Sequence, residues 1–565
     1  MSALELSRSS PLRLILVVLI LAGLSFVALG HQEPPAQPRP EPPPVRVKLA
    51  VLVVFDQLRG DYLERWQSYF GPAGFQRLMK EGAWFDNCHY PYALTKTAPG
   101  HASMLTGCSP AQHGIIDNDW FDRNLGKPVY CVDSTRYKRV PPKPNAKGTS
   151  PERLLAPGVA DVLKQSNKGK GRVVCLSLKD RSAVLPGGKQ PDACYWFDSS
   201  AGEFVTSTYY RDLPQRWVSD FNKSGFIDQW RGKNWTPFEA NLDLKKLGLF
   251  RDPDDEPGDF EHPLPAGKDP KYYAKVAESP FGNNVLLELA KRAIVAENLG
   301  QDEYPDLLSI SFSSNDLIGH RYGPDSPEVM DVTVRSDGVV AELLDFLDEK
   351  VGKGQYVLAL SADHGVCPLP EVSKQRGLEA ERISLRSLTE DAALFLDEKF
   401  GDPQKPARWF DSFDESWVYF NRAALKSRGL ALAEVADALA HWIERQPGLQ
   451  AAYTSRDLFD KATRDDPLAR AVRRSFYPGR AGDIVLFQKP RYLFSSSFTT
   501  GTTHGTPHPY DTHVPLLVYG PDIEPGRRGD RVKPQDIAAI FTYFLGIPPP
   551  GLSDASLPDH LVQAR

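Results

Sequence analysis

Residues 49–56 read L-A-V-L-V-V-F-D. This apolar, β-branched run shows no alternation, which is the pattern of a strand buried on both faces of a parallel sheet. It ends in an acid. Further on, residues 95–118 read T-K-T-A-P-G-H-A-S-M-L-T-G-C-S-P-A-Q-H-G-I-I-D-N. A strand that delivers a carboxylate, then a Pro/Gly-punctuated turn that carries a hydroxyl into a helix, is how α/β enzymes present a nucleophile. Alone, the second stretch also reads as an ordinary helix start with a Thr cap and an early Pro. The rest of the chain decides between the two.

Outward from 49–56 the chain alternates. Further strands are expected at 172–178, 306–312, 356–360 and 514–519. Helices are expected at 74–82, from 97 to about 106, at 159–165, at 283–297, from 326 to about 350 and at 534–545. Ser326-Pro327-Glu328 is a cap, a first-position proline and a first-turn acid. This rhythm predicts an α/β fold, a doubly wound and mostly parallel sheet, with its site at the carboxyl ends of the strands. Two stretches depart from it. Residues 195–280, rich in Trp, Tyr, Pro and Asp, read as an inserted cap or lid. Residues 370–495 read as a small α+β insertion with a strand near 417–421, a helix at 430–444 and a strand near 451–454. The catalytic domain would then run over 46–550, with a tail at 551–565.

The chain has 565 residues, 41% hydrophobic and 25% charged, with a net charge of −5. No Lys/Arg block is present, so a nucleic-acid-binding surface is not indicated. Arg8 and Arg13 precede an apolar run over 14–30 that ends in Ala28-Leu29-Gly30, with small residues where a signal peptidase needs them. A cleaved signal peptide at 1–30 is favoured over an uncleaved anchor. It is followed by a Pro-rich linker at 31–45. The protein is therefore expected to be periplasmic or secreted, with no membrane partner beyond the export signal. Export makes disulfides possible among the six cysteines. At least one bridge is expected among Cys88, Cys108, Cys131, Cys175 and Cys194, with the pairing open, while Cys367 reads as a buried free thiol.

The strand ends carry acids and histidines. Asp56 closes the first strand. Asp316 and His320 follow the strand at 306–312 in N-D-L-I-G-H-R-Y-G-P. Asp363 and His364 follow the next in A-D-H-G, and His504 precedes the last in T-H-G-T-P-H-P. Any one pair has a bland reading as a surface pair or a turn. Together they form a set of oxygen and nitrogen ligands without a thiolate, which suits two divalent ions, most readily Zn²⁺. Two such ions can stabilise both the attacking and the leaving oxygen of a displacement, and a Thr hydroxyl on a metal needs no neighbouring base.

Asp56, the T-x-T-A-P-G-H block, D-x-x-G-H-x-x-G-P, D-H-G and the late H-G together resemble the alkaline phosphatase superfamily. The nearest group is the threonine-nucleophile, nucleotide pyrophosphatase/phosphodiesterase-like one, and within it the periplasmic phosphate-irrepressible alkaline phosphatase branch. The resemblance covers roughly residues 48–545. It implies Thr97 as nucleophile and metal ligand, Asp316, His320 and His504 on one zinc, and Asp56, Asp363 and His364 on the other. It implies that Asn118 donates its amide to a phosphate oxygen. Lys179 and Arg181, in S-L-K-D-R-S, look like the Lys-x-Arg pair of the monoesterase branch. Read as an extended segment, positions i and i+2 project to one side and offer cationic charge to a phosphate dianion. The expected protein is an exported di-zinc alkaline phosphatase that hydrolyses small phosphate monoesters through a phospho-threonine. The alternatives are a phosphodiesterase or nucleotide pyrophosphatase with the same metals, and a non-catalytic binding domain on this fold. His101, His113, His508 and His513 are expected to hold loops or to support ligands, with His508 a substitute for His504. The oligomeric state is open.

Overall fold

Leu49–Phe55 forms strand β1, and every residue in it is at most 1% exposed, so both of its faces are covered as its unbroken apolar pattern requires. The computed structural model describes residues 44–239, 242–250, 260–401, 408–460, 464–495 and 501–563. The expected signal peptide and nearly all of the Pro-rich linker lie outside the described residues.

Around β1 stand β2 (Ala83–His89), β3 (Arg139–Val140), β4 (Val173–Ser177), β5 (Ala193–Asp198), β6 (Glu203–Ser207), β7 (Asp306–Phe312), β8 (Tyr356–Ser361), β9 (His513–Tyr519) and β10 (Gly526–Arg528). They make a ten-stranded sheet in the order β10-β2-β9-β8-β1-β7-β4-β5-β6-β3. β8, β1, β7, β4 and β5 are parallel neighbours, while β9 and β6 run against the rest. The expected α/β class and mostly parallel sheet are therefore present.

Helices α1 (Thr97–Thr106), α2 (Asp180–Gly187) and α6 (Asp536–Leu545) belong to one packed group. Helices α3 (Pro280–Ala296), α4 (Ser314–Tyr322) and α5 (Pro327–Leu347) form a second. α5 starts where Ser326-Pro327-Glu328 predicts, with the Ser326 hydroxyl accepting from the Val329 N–H at 3.2 Å. α1 starts with Thr97 as its first residue and Lys96 as a cap that makes no side-chain bond. The reading of this stretch as a Thr-capped helix start therefore fails. The hydroxyl is left for other work.

The stretch at 195–280 begins inside the central sheet rather than above it, because β5 and β6 pair there as an antiparallel hairpin. Its aromatic residues Tyr195, Trp196 and Phe197 stand consecutively in β5, A-C-Y-W-F-D, and all three are buried, so both faces of the strand are covered. Later residues of the stretch are tied to α5: Asp331 accepts from the Trp235 indole at 2.8 Å and from the Phe238 N–H at 2.6 Å. Phe410–Phe413, Trp417–Phe420, Ile484–Gln488 and Leu449–Thr454 form a separate four-stranded sheet. Leu385–Phe400 and Leu432–Ile443 supply Leu388, Val435 and Leu439 to its own apolar cluster. At the other end of the chain Leu561 is fully buried and Val562 bridges to Ile523, so the expected tail is packed.

All six cysteines are free and buried, which corrects the expected bridge among the first five. Each is an apolar filler of the interior, and Cys367 is the buried thiol expected of it.

Candidate active site

Strand register brings the site together. Phe55 pairs with Phe312, and Val54 with Ser361, so β1, β7 and β8 end at one level. Ser311 pairs with Ser177 at the end of β4. β9 runs the opposite way, so the loop before His513 opens at the same edge; β2, which pairs His89 with His513, leaves there too and leads into α1. Asp56, Asp316, Asp363, His364, Lys179, His504 and Thr97 therefore emerge at one edge of the sheet. Gly100 lets α1 approach it closely, since a Cβ there would lie 2.2 Å from the Asp363 carbonyl oxygen.

Two groups of side chains could each hold an ion: Asp316 with His364 and His504, and Asp56 with Asp363 and His364. His364 is common to both. Its Nε2 lies 3.5 Å from Asp56 Oδ1 and 3.3 Å from Asp363 Oδ2. His320, expected with Asp316 and His504, has its Nε2 3.2 Å from Asp316 Oδ1, and His504 Nε2 is 3.9 Å from the same oxygen. The histidines share one device. His320 Nδ1 donates to the Thr502 carbonyl at 2.7 Å, His504 Nδ1 to that of Thr95 at 2.7 Å, and His364 Nδ1 to that of Gly365 at 2.9 Å. Each bond fixes the tautomer and turns an Nε2 lone pair toward the carboxylates, as metal-ligating histidines require. Asp56 Oδ1 and Asp363 Oδ2 are buried without a hydrogen-bond partner. Orphaned carboxylate oxygens facing histidine lone pairs fit a cation.

Charge agrees with this arrangement. Burial, then Asp316 and Asp363, push Asp56 well above the carboxylate range, against the pull of Lys179. Burial works against Asp316 and Asp363 as well, but His320 and Lys179 hold the first, and His364 and His101 the second, below that range. Burial lowers His364 to about 4 and His504 well below its ordinary value, which leaves both neutral and free to ligate. His320 goes the other way: burial lowers it, but Asp316 outweighs burial.

Thr97, 1% exposed, sits beside this cradle with Oγ1 3.2 Å from His364 Nε2. Arg181 Nη2 donates to the same oxygen at 3.4 Å, and its buried Nε has no partner. Tyr130 holds the guanidinium, accepting from Nη1 at 3.1 Å while donating to Asp180 at 2.5 Å. Lys179 Nζ bridges Asp56 Oδ2 at 2.7 Å and Asp316 Oδ2 at 2.5 Å. Burial opposes its charge, but Asp316 and Asp56 raise its pKa above the ordinary lysine value. The two cations converge differently from the extended-segment reading: Lys179 caps α2 and Arg181 lies in its first turn. Asn118 Oδ1 accepts from the Ala98 N–H at 2.9 Å, which leaves its amide hydrogens for a ligand. It also lines a cleft of about 450 Å³ with Lys96, Trp120 and Glu415.

A family model described as type I phosphodiesterase / nucleotide pyrophosphatase matches residues 50–511. The chain belongs to that family. Within the family it is similar to alkaline phosphatase PafA of Elizabethkingia meningoseptica, with 33% identity over 95% of this chain and 96% of the other. It is 32% identical to alkaline phosphatase PhoV of Synechococcus elongatus over 95% of this chain and 97% of the other. The crystal structure of PafA superposes with a TM-score of 0.84 at 32% identity, covering 92% of this chain and 99% of that one.

His101, His113, His508 and His513 fall in neither candidate ion group. His101 Nδ1 donates to the Thr97 carbonyl at 2.9 Å and lies 3.2 Å from Asp363 Oδ2. His113 ties Ser103 to Ile115, His508 Nε2 donates to the Gln488 carbonyl at 2.9 Å, and His513 donates to that of Asp86 at 2.8 Å. Three contributors escaped the sequence reading. Gln57 touches two of the carboxylates. Tyr130 fixes Arg181. The backbone carbonyls that orient the histidines carry no side-chain signature at all.

Proposed function

We propose that this chain is an exported, di-zinc alkaline phosphatase that cleaves small phosphate monoesters by way of a phospho-threonine. The observation that carries the reading is the convergence of Lys179 and Arg181 on the pocket of Thr97. A monoester dianion needs more cationic charge than a diester, which has one negative charge and a second substituent to accommodate. Asp316, His320 and His504 would hold one zinc, and Asp56, Asp363, His364 and Thr97 the other. When bound, the ions supply Lewis acidity at the attacking and leaving oxygens.

The chain's own residues do the rest. Thr97, held at the start of α1, points its Oγ into the pocket, and the Thr97 oxygen–phosphorus bond forms as the ester oxygen–phosphorus bond breaks. Water then displaces the Thr97 oxygen from phosphorus, freeing inorganic phosphate. Arg181, through Nη2 and the unpartnered Nε, and the Asn118 amide hold the non-bridging oxygens throughout both displacements. Lys179 adds a compact charge between Asp56 and Asp316. Export rests on the basic and apolar residues at 8–30; no helix among the described residues is long and apolar enough to cross a membrane.

The family's description keeps phosphodiesters as a second reading. Truncating both cations separates the two. In K179A/R181A the monoester kcat/KM should fall by a factor on the order of 10² or more, as loss of charge-stabilising donors does elsewhere, and diester cleavage should fall much less. An equal fall on both substrates would overturn the assignment.

A further inference from the structure

Gln57 follows Asp56 and is 3% exposed. Its φ is 69°, in the left-handed region. It is the third residue of a turn closed by the Leu58 N–H on the Phe55 carbonyl at 3.1 Å. A positive φ at that place suits glycine or asparagine, and a longer side chain there is retained only when its surroundings hold it.

Two bonds hold it. Its backbone N–H donates to Asp363 Oδ1 at 3.1 Å, and its side-chain Nε2 donates to Asp316 Oδ1 at 2.8 Å. Asp363 and Asp316 fall in different candidate ion groups. One residue therefore spans both groups, and the left-handed turn is what aims its N–H and its side-chain amide at two carboxylates at once. The bond to Asp363 occupies Oδ1, so that Oδ2, which has no hydrogen-bond partner, is the oxygen left toward His364.

The other side of Gln57 explains a glycine. Gly319 lies between Asp316 and His320 in α4, and a Cβ there would come 1.9 Å from Gln57 Oε1. Glycine is unfavourable inside a helix, so its presence needs a local reason. The Gln57 amide resting on the helix backbone supplies one.

We propose that Gln57 is a positioning residue that locks Asp316 and Asp363 at a fixed separation for two metal ions, and that Gly319 is glycine to admit its side chain. The inference rests on the metal reading of the site. It makes three variants interdependent. Gln57→Gly keeps the turn and its N–H but removes the side-chain bond to Asp316. Gly319→Ala improves helix propensity while displacing the amide. The double variant removes the clash along with the clamp.

The test is the zinc dissociation constant of each purified full-length variant, measured by competition with a chromogenic chelator, together with zinc bound per chain and kcat/KM. Q57G and G319A should each weaken zinc binding by roughly 10–100-fold, as loss of an outer hydrogen bond to a ligand does. Q57G/G319A should bind no worse than Q57G, because the methyl added by G319A then has no amide to displace. If Q57G does not fold, Q57N, tolerated at left-handed φ but one methylene too short to keep the bond, takes its place in both single and double variants. Wild-type affinity in Q57G, or full additivity in the double variant, would overturn the proposal. A wild-type chain that binds no zinc would sink it together with the metal reading. Normal zinc in the wild type and in Q57G would sink the clamp alone.

Discussion

Thr97 carries the chemistry only if its hydroxyl is free, and the structure leaves it free: no cap bond uses it, and it faces His364 and Arg181. Thr97→Ala should therefore abolish turnover and weaken zinc binding at the Asp56, Asp363 and His364 group while leaving the metal-free melting midpoint near wild type, and Thr97→Ser should keep measurable activity with a phospho-serine trapped by acid quench. Phosphate trapped at any other residue would contradict the assignment. At this scale the sequence was informative where chemistry demands a residue type. Asp56, Asp363 and His364 stand just past the ends of β1 and β8, where the strand pattern places them. Lys179 and Arg181 were legible as a pair, but not how they converge, because the break from β4 to the α2 start falls between them. Gln57 was invisible, since a left-handed glutamine has no pattern of its own.

Elements place these residues, and their buried polar groups set the response to pH. His113 joins α1 to the loop after the next short helix: its Nε2 meets Ser103 Oγ at 3.0 Å and its Nδ1 accepts from the Ile115 N–H at 3.1 Å. Burial first, then Arg480, lower its pKa to about 3. Its folded value lies below the unfolded one of about 6.5, so the unfolded chain binds the extra proton between these values. The stability it contributes is complete above about pH 6.5 and is lost as pH falls toward 3, with a limiting slope of about 1.4 kcal/mol per pH unit. His113→Asn, which can still accept from Ile115, should make the acid limb of a urea-unfolding series shallower by about one proton. An unchanged slope would show that His113 is charged in the folded chain. The long buried strands and the capped helix α5 were readable because their patterns are strong. β2, A-W-F-D-N-C-H, and the β5–β6 hairpin were not, because mixed faces and short lengths hide strands that only the sheet makes stable.

The whole chain binds these elements without covalent staples, since all six thiols are free and buried. Reducing agent should leave the melting midpoint unchanged; a fall would reveal a bridge. Removing metal should act differently. Chelation should abolish activity and lower the midpoint, because ions that bind only the folded state stabilise it by mass action, and added zinc should restore both. The large sheet was legible at this scale because its strands repeat one rhythm. The packed carboxyl end was not, because Leu561 is buried by partners far away in sequence. The proposed dianion specificity rests on the Thr97 pocket with Lys179 and Arg181. Its most direct test is kcat/KM of the zinc-loaded chain on a phosphate monoester and on its methyl diester with the same leaving group. A clear preference for the monoester is predicted, and faster cleavage of the diester would contradict it.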